Sequence, residues 1–216
     1  MRLELDHLFV LTSRDAPEAE VLLKFGLREG PPNSHPGQGT ANRRFAFFNA
    51  MIELLWVSDE MEARSARTRR TMLWERWSGR GDNASPFGIC VRPAATERSE
   101  IPFASWEYRP EYLSTPLVMQ VGEAGFEEPM WIYLDFMRRS QREKWFKEHR
   151  AKIREITGLT LTSPVPIRSD ASRKIVEDGV LEVRAGMEPL LEVEFDGGHR
   201  NTRVDFRAHL PLAFRM

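Results

Sequence analysis

The chain opens on an apolar run broken by charge. Residues 3–12, Leu-Glu-Leu-Asp-His-Leu-Phe-Val-Leu-Thr, first alternate apolar with polar positions and then become continuous, the pattern of a strand entering a core. Asp15-Ala16-Pro17-Glu18 then carries the residues of a helix start: a capping Asp, a Pro in the first turn and a Glu three positions on. Val21, Leu22 and Phe25 are spaced to face inward, and Gly26 predicts a left-handed stop. After a loop rich in Pro and Gly, two strands are predicted over about 41–48 and 51–57, joined tightly at Asn49-Ala50. Residues 59–80 are rich in arginine and helix-prone, with Trp74 and Trp77 as apolar contacts. Residues 87–91 form a short buried strand, and prolines interrupt the stretch 93–129. A strand is predicted at 131–136. Trp145, Phe146, His149, Ile153 and Ile156 fall at helical spacing, which predicts one long helix over 138–156 ending at Gly158. The last predicted strands cover 181–183, 190–195 and 204–206.

Part of this pattern occurs twice. His7-Leu8-Phe9-Val10-Leu11 compares with Phe87-Gly88-Ile89-Cys90-Val91. The helix end at Phe25-Gly26-Leu27 compares with Thr157-Gly158-Leu159, and Ile52-Glu53-Leu54-Leu55 with Leu191-Glu192-Val193-Glu194. The repeat predicts an α+β fold made of two fused βαβββ modules, about 1–84 and 85–216, in one domain. Their strands form a curved mixed sheet around a cleft. The second copy is the longer, so it carries an insertion near 97–140.

Charge and cysteine content narrow the classes. With 31 Lys and Arg against 32 Asp and Glu, the net charge of −1 lacks the basic footprint of a nucleic-acid binder. No apolar run approaches the roughly 18 residues of a membrane span, and Glu4, Asp6 and His7 stand where a signal peptide needs its apolar segment. The single cysteine, Cys90, excludes a disulfide within the chain and a multi-cysteine zinc site. Its apolar neighbours predict a packing role. These features together predict a cytoplasmic protein.

Three pieces of the sequence carry a resemblance. Asp6-His7 on the first strand, the run Gly37-Gln38-Gly39-Thr40-Ala41-Asn42-Arg43, and Ile52-Glu53-Leu54 resemble a glyoxalase-like domain of the vicinal oxygen chelate superfamily. The match is clearest over residues 3–57. The resemblance implies paired βαβββ modules curled around a cleft. Many members hold a divalent metal there, through a His on a module's first strand and a Glu on its last, and bind substrates through two adjacent oxygens. Carried over to this chain, it implies His7, Glu53 and Glu192 as metal ligands. Phe87 stands near the expected second-module histidine and cannot bind a metal. One imidazole and two carboxylates suit Mn²⁺, Fe²⁺, Ni²⁺ or Zn²⁺. The implied function is a small-molecule lyase or isomerase in which Glu192 or Glu53 moves a proton. The alternative is a non-catalytic protein that sequesters a small molecule in the same cleft. Homodimers are common among resembling proteins.

Other residues complete the expected site. Asn42 and Arg44 share one face of their strand, and Phe45 and Phe47 share the other. If the aromatics meet the helix, Asn42 and Arg44 face the cleft. There Arg44 suits an anionic ligand group or pairs with Glu53. Trp106 and Tyr108 lie in the proline-rich stretch and are expected to line the cleft mouth. His7 and Glu53 are expected on one concave face. His149 is expected to pack, and the basic residues of 138–154 to form a solvated face.

Overall fold

The computed structural model describes residues 2–80, 82–94 and 100–216. Its first half runs β1 (Leu3–Leu11), α1 (Ala19–Phe25), β2 (Asn33–His35), β3 (Thr40–Ala46), β4 (Met51–Val57), α2 (Glu60–Ala63) and α3 (Leu73–Ser78). It continues with β5 (Phe87–Pro93), β6 (Ser105–Tyr108), β7 (Met119–Gly122) and β8 (Met130–Tyr133). These eight strands form one mixed sheet in the order β2-β3-β4-β1-β5-β8-β7-β6. The order is a palindrome. β1 pairs parallel with β4, β5 pairs parallel with β8, and the halves meet through antiparallel β1 and β5.

The second module is therefore β5 to β8, built from residues expected to be an insertion. Its expected beginning near 97 lies outside the described residues. The remainder of the chain forms a second sheet. After α4 (Arg139–Glu143) come β9 (Ile156–Ser163), α5 (Asp170–Glu177), β10 (Glu182–Ala185), β11 (Leu190–Phe195), β12 (Arg203–Asp205) and β13 (Leu212–Arg215). Their order is β10-β9-β11-β13-β12. Parallel and antiparallel pairs alternate here as they do along β4-β1-β5-β8-β7. The smaller sheet thus repeats the middle of the larger one. The fold is α+β, with two open mixed sheets.

One apolar core fills the space between the sheets, and both helices of substance lie in it. Phe25 of α1 meets Phe206 and Phe214 edge-on, with centroids 5.7 and 5.6 Å away. Phe47, just beyond β3, meets Phe195 of β11 at 4.8 Å. No helix lies between β5 and β6 among the described residues, and α5 covers that part of the sheet instead. Its Ala171 sits so close to Gly122 that a Cβ on the glycine would lie 2.8 Å from the alanine methyl. Buried Glu128 fixes the start of α5. It accepts from the backbone N–H of Arg168 and Ser169, from the Ser169 hydroxyl and from the Trp131 indole.

Two predicted helices are not continuous. Only 139–143 is helical within 138–156, and Ile156 and Gly158 belong to β9. Lys152 turns the chain with a positive φ of 55°, and Asp196 captures the N–H groups of Arg154 and Glu155. Residues 59–80 break at Met72, whose φ is 54°. His149 packs as expected, in a loop, accepting from the Arg28 N–H and contacting the Ala46 carbonyl. Among the described residues no helix is long and apolar enough to cross a membrane.

Candidate functional site

A β-bulge creates the site. The register of β1 against β5 shifts between Leu5 and His7, with Asp6 as the extra residue. Strict alternation would put His7 on the same face as Leu3 and Leu5. The bulge resets the parity, so Leu3, Leu5, Leu8 and Val10 face the core while Phe9 and Leu11 join the cluster on the opposite face. His7 turns with Phe9 and lines a cavity of about 180 Å³ on that face.

Asp6, 0% exposed, is the centre of a charged cluster. Its carboxylate takes Nδ1 of His7 at 2.7 Å, Nη1 of Arg92 at 3.0 Å and Nε of Arg142 at 3.1 Å, with Nη2 of Arg142 closer still. Burial alone would raise its pKa, but the His7 hydrogen bond and charge, with Arg142, hold it well below the usual carboxylate range. The same contacts act on His7. Burial favours the neutral ring, and Cys90, Glu53 and the Asp6 hydrogen bond outweigh it, so the histidine lies well above its ordinary value. The ring is anchored through Nδ1, as in carboxylate–histidine pairs that orient an imidazole.

Glu53 lines the same cavity from β4, 8% exposed. Asn42, diagonal to it on β3, donates Nδ2 to its Oε2 at 2.8 Å. Arg44 stands directly opposite in register, yet it does not bond Glu53. Its Nε donates to the Pro31 carbonyl, and its guanidinium stacks 4.5 Å from the Trp145 ring. His35 and Gln38 complete the polar wall. Both contact the Thr40 hydroxyl, and Tyr112 donates to Gln38. Burial keeps His35 below its ordinary pKa, so its ring is neutral.

The second module supplies the apolar wall. Cys90, Tyr108, Met119, Met130, Ile132 and Leu134 line it. Cys90 is the cross-strand partner of His7, and burial pushes its thiol up. No carboxylate or imidazole faces the cavity from β5 or β8. Phe87 does not replace a histidine there, because it points into the core between the sheets. The cleft-side position belongs to Gly88, over which the Phe9 ring lies. A Cβ at Gly88 would be 2.0 Å from that ring.

His7 and Glu53 thus share one cavity wall as expected, with Asn42 supporting the carboxylate. Tyr108 lines the cavity; Trp106 lies outside it, under the Arg70 guanidinium at 4.4 Å. Glu192 does not belong to the site. It lies on β11 in the other sheet and pairs with Arg203 at 2.6 Å. Its alternating neighbours mark a solvent-facing strand, which copies the look of β4 without its position. Arg142, expected on a solvated face, is buried against Asp6. Among the described residues no three His, Cys, Asp or Glu side chains are grouped to hold a metal. Of the expected ligands Glu192 lies in the other sheet, which leaves His7 and Glu53, with His35 on the same cavity wall.

No family model and no curated protein matches the sequence. Among solved structures, the chain is similar to the crystal structure of a hypothetical protein from Staphylococcus aureus. The TM-score is 0.53 at 12% identity, covering 99% of both chains. At that identity the likeness is one of fold.

Proposed function

We propose that the cleft binds a small amphiphilic molecule and moves a proton on it, in a reaction of the isomerase or lyase type. Glu53 is the base and His7 the acid. The observation that carries this reading is the fixed imidazole of His7, held at Nδ1 by a buried aspartate and sharing a cavity wall with a carboxylate that accepts from the Asn42 amide. The Asp6 carboxylate favours the protonated form of the His7 ring, and Glu53 offers an acceptor in the same space. An anchored imidazole and a carboxylate facing one space have the geometry of an acid and base pair.

The test is a set of small carbonyl and hydroxy compounds incubated with the protein in D₂O and followed by NMR. Deuterium entering a bound compound at a carbon position, and lost in Glu53→Gln and His7→Gln, is expected. Binding without exchange in the native protein would overturn the catalytic reading. A second reading, sequestration without chemistry, draws on the wholly apolar wall from β8, and that outcome would favour it.

A further inference from the structure

Three observations narrow the class of molecule that the cleft takes. Glu53 is buried, and no described cation lies within ion-pair distance of it. Asn42 satisfies Oε2, while Oε1 has no hydrogen bond among the described residues. Oε1 is open to the cavity, so a ligand that displaces water from it must supply a donor in its place. The charges around it restrict what that donor can be. Arg44 and Arg142 both act on Glu53 electrostatically, and they would repel an ammonium group. An anion would instead meet Glu53 itself. The facing wall of Met119, Met130, Ile132 and Leu134 is apolar, and the polar atoms beside it are the Cys90 thiol and the Tyr108 hydroxyl.

We infer that the ligand is a neutral, lipophilic molecule carrying a hydroxyl that donates to Glu53. This rests on the proposed cleft and adds to it the identity of the polar handle. Glu53 is then the residue that selects an alcohol over a charged analogue of the same shape.

Four probes of one size separate the cases: benzyl alcohol, toluene, benzylamine and benzoate, titrated into the full-length protein at pH 7 and followed by NMR. Benzyl alcohol is expected to bind about tenfold more tightly than the amine or the acid, and several-fold more tightly than toluene. In Glu53→Met, checked for folding by its melting curve, the preference for the alcohol over toluene should disappear while toluene still binds. The ranking on native protein is decisive even if that variant does not fold. Tightest binding by benzylamine or benzoate would overturn the charge argument. Equal binding of alcohol and toluene would overturn the role of Glu53. If even toluene fails to bind, the cleft reading itself falls.

Discussion

Replacing Asp6 by Asn keeps the shape of the side chain and removes its charge. Arg92, Arg142 and the His7 ring then lose their shared partner in a largely buried place. Breaking a buried ion pair by removing one partner costs about 3–5 kcal/mol. The Asn carbonyl still accepts from one or two of the donors, which sets the expectation near ~3 kcal/mol. That is a large share of the roughly 5–15 kcal/mol that holds a domain together. The pH dependence should change at both ends. Asp6 has a lowered pKa in the fold, so its contribution is present above the unfolded value of about 3.9 and fades as pH falls toward the folded one. His7 has a raised pKa, so its contribution is complete below about 6.5 and is lost as pH rises through the folded value. Asp6→Asn should flatten both limbs. Urea unfolding followed by tryptophan fluorescence across pH, with the His7 ring titrated by NMR, measures this. A loss under about 1 kcal/mol at pH 7 with an unmoved His7 titration would refute the reasoning.

Gly88→Val should force the Phe9 ring into the cavity, costing about 1–3 kcal/mol as overpacking, and abolish toluene binding; melting curves and the NMR titration read the two effects. Glu128→Ala strands the Trp131 indole and the Ser169 hydroxyl. It should destabilise the protein by about 1–3 kcal/mol per unpaired buried group, with hydrogen exchange rising first in the amides of α5. Calorimetric titration with Mn²⁺, Ni²⁺ and Zn²⁺ should find no millimolar-range or tighter site that differs between native protein and His7→Ala, because Glu192 cannot reach the cavity.

The first module was legible in the sequence because its signals are local. The apolar run of β1, the glycine that ends α1 and the alternation of β3 are each signals carried within a few residues, and β1, β3 and β4 appear where they were predicted, while the three-residue β2 falls in the stretch read as a loop. Phe45 and Phe47 face the core and Asn42 the cleft side, as parity requires. The second module was not legible. β6, β7 and β8 have only four residues each, too few for a period to show, and prolines separate them. The Leu-Glu-Val-Glu stretch of β11 carries the same pattern as β4, and only pairing distinguishes a strand with a solvated face from one facing a cavity. The helical spacing at 145–156 was lost to Asp196 and Asn49, which claim the backbone of Glu155 and Ile156 from 41 and 107 positions away. In the site, His7, Glu53 and Tyr108 were visible. Arg142 was not, since its partner is 136 residues distant and its place depends on a bulge that composition does not reveal.

The core between the two sheets makes this chain indivisible. None of the residues lining the cavity lies beyond Arg142, yet the helix behind the second module comes from α5, and the outer side of α1 is closed by Phe206 and Phe214. A break near residue 150 would leave each portion with an uncovered apolar face. Neither could be inherited, exchanged or lost by itself, and both should melt in a single event. The five-stranded sheet contributes nothing that a ligand touches, but it determines whether the wall carrying His7 and Glu53 stays rigid. Under the proposed reading of the cleft, changes far from the cavity would be felt as looser binding, so the demands of the site extend over the whole length of the chain.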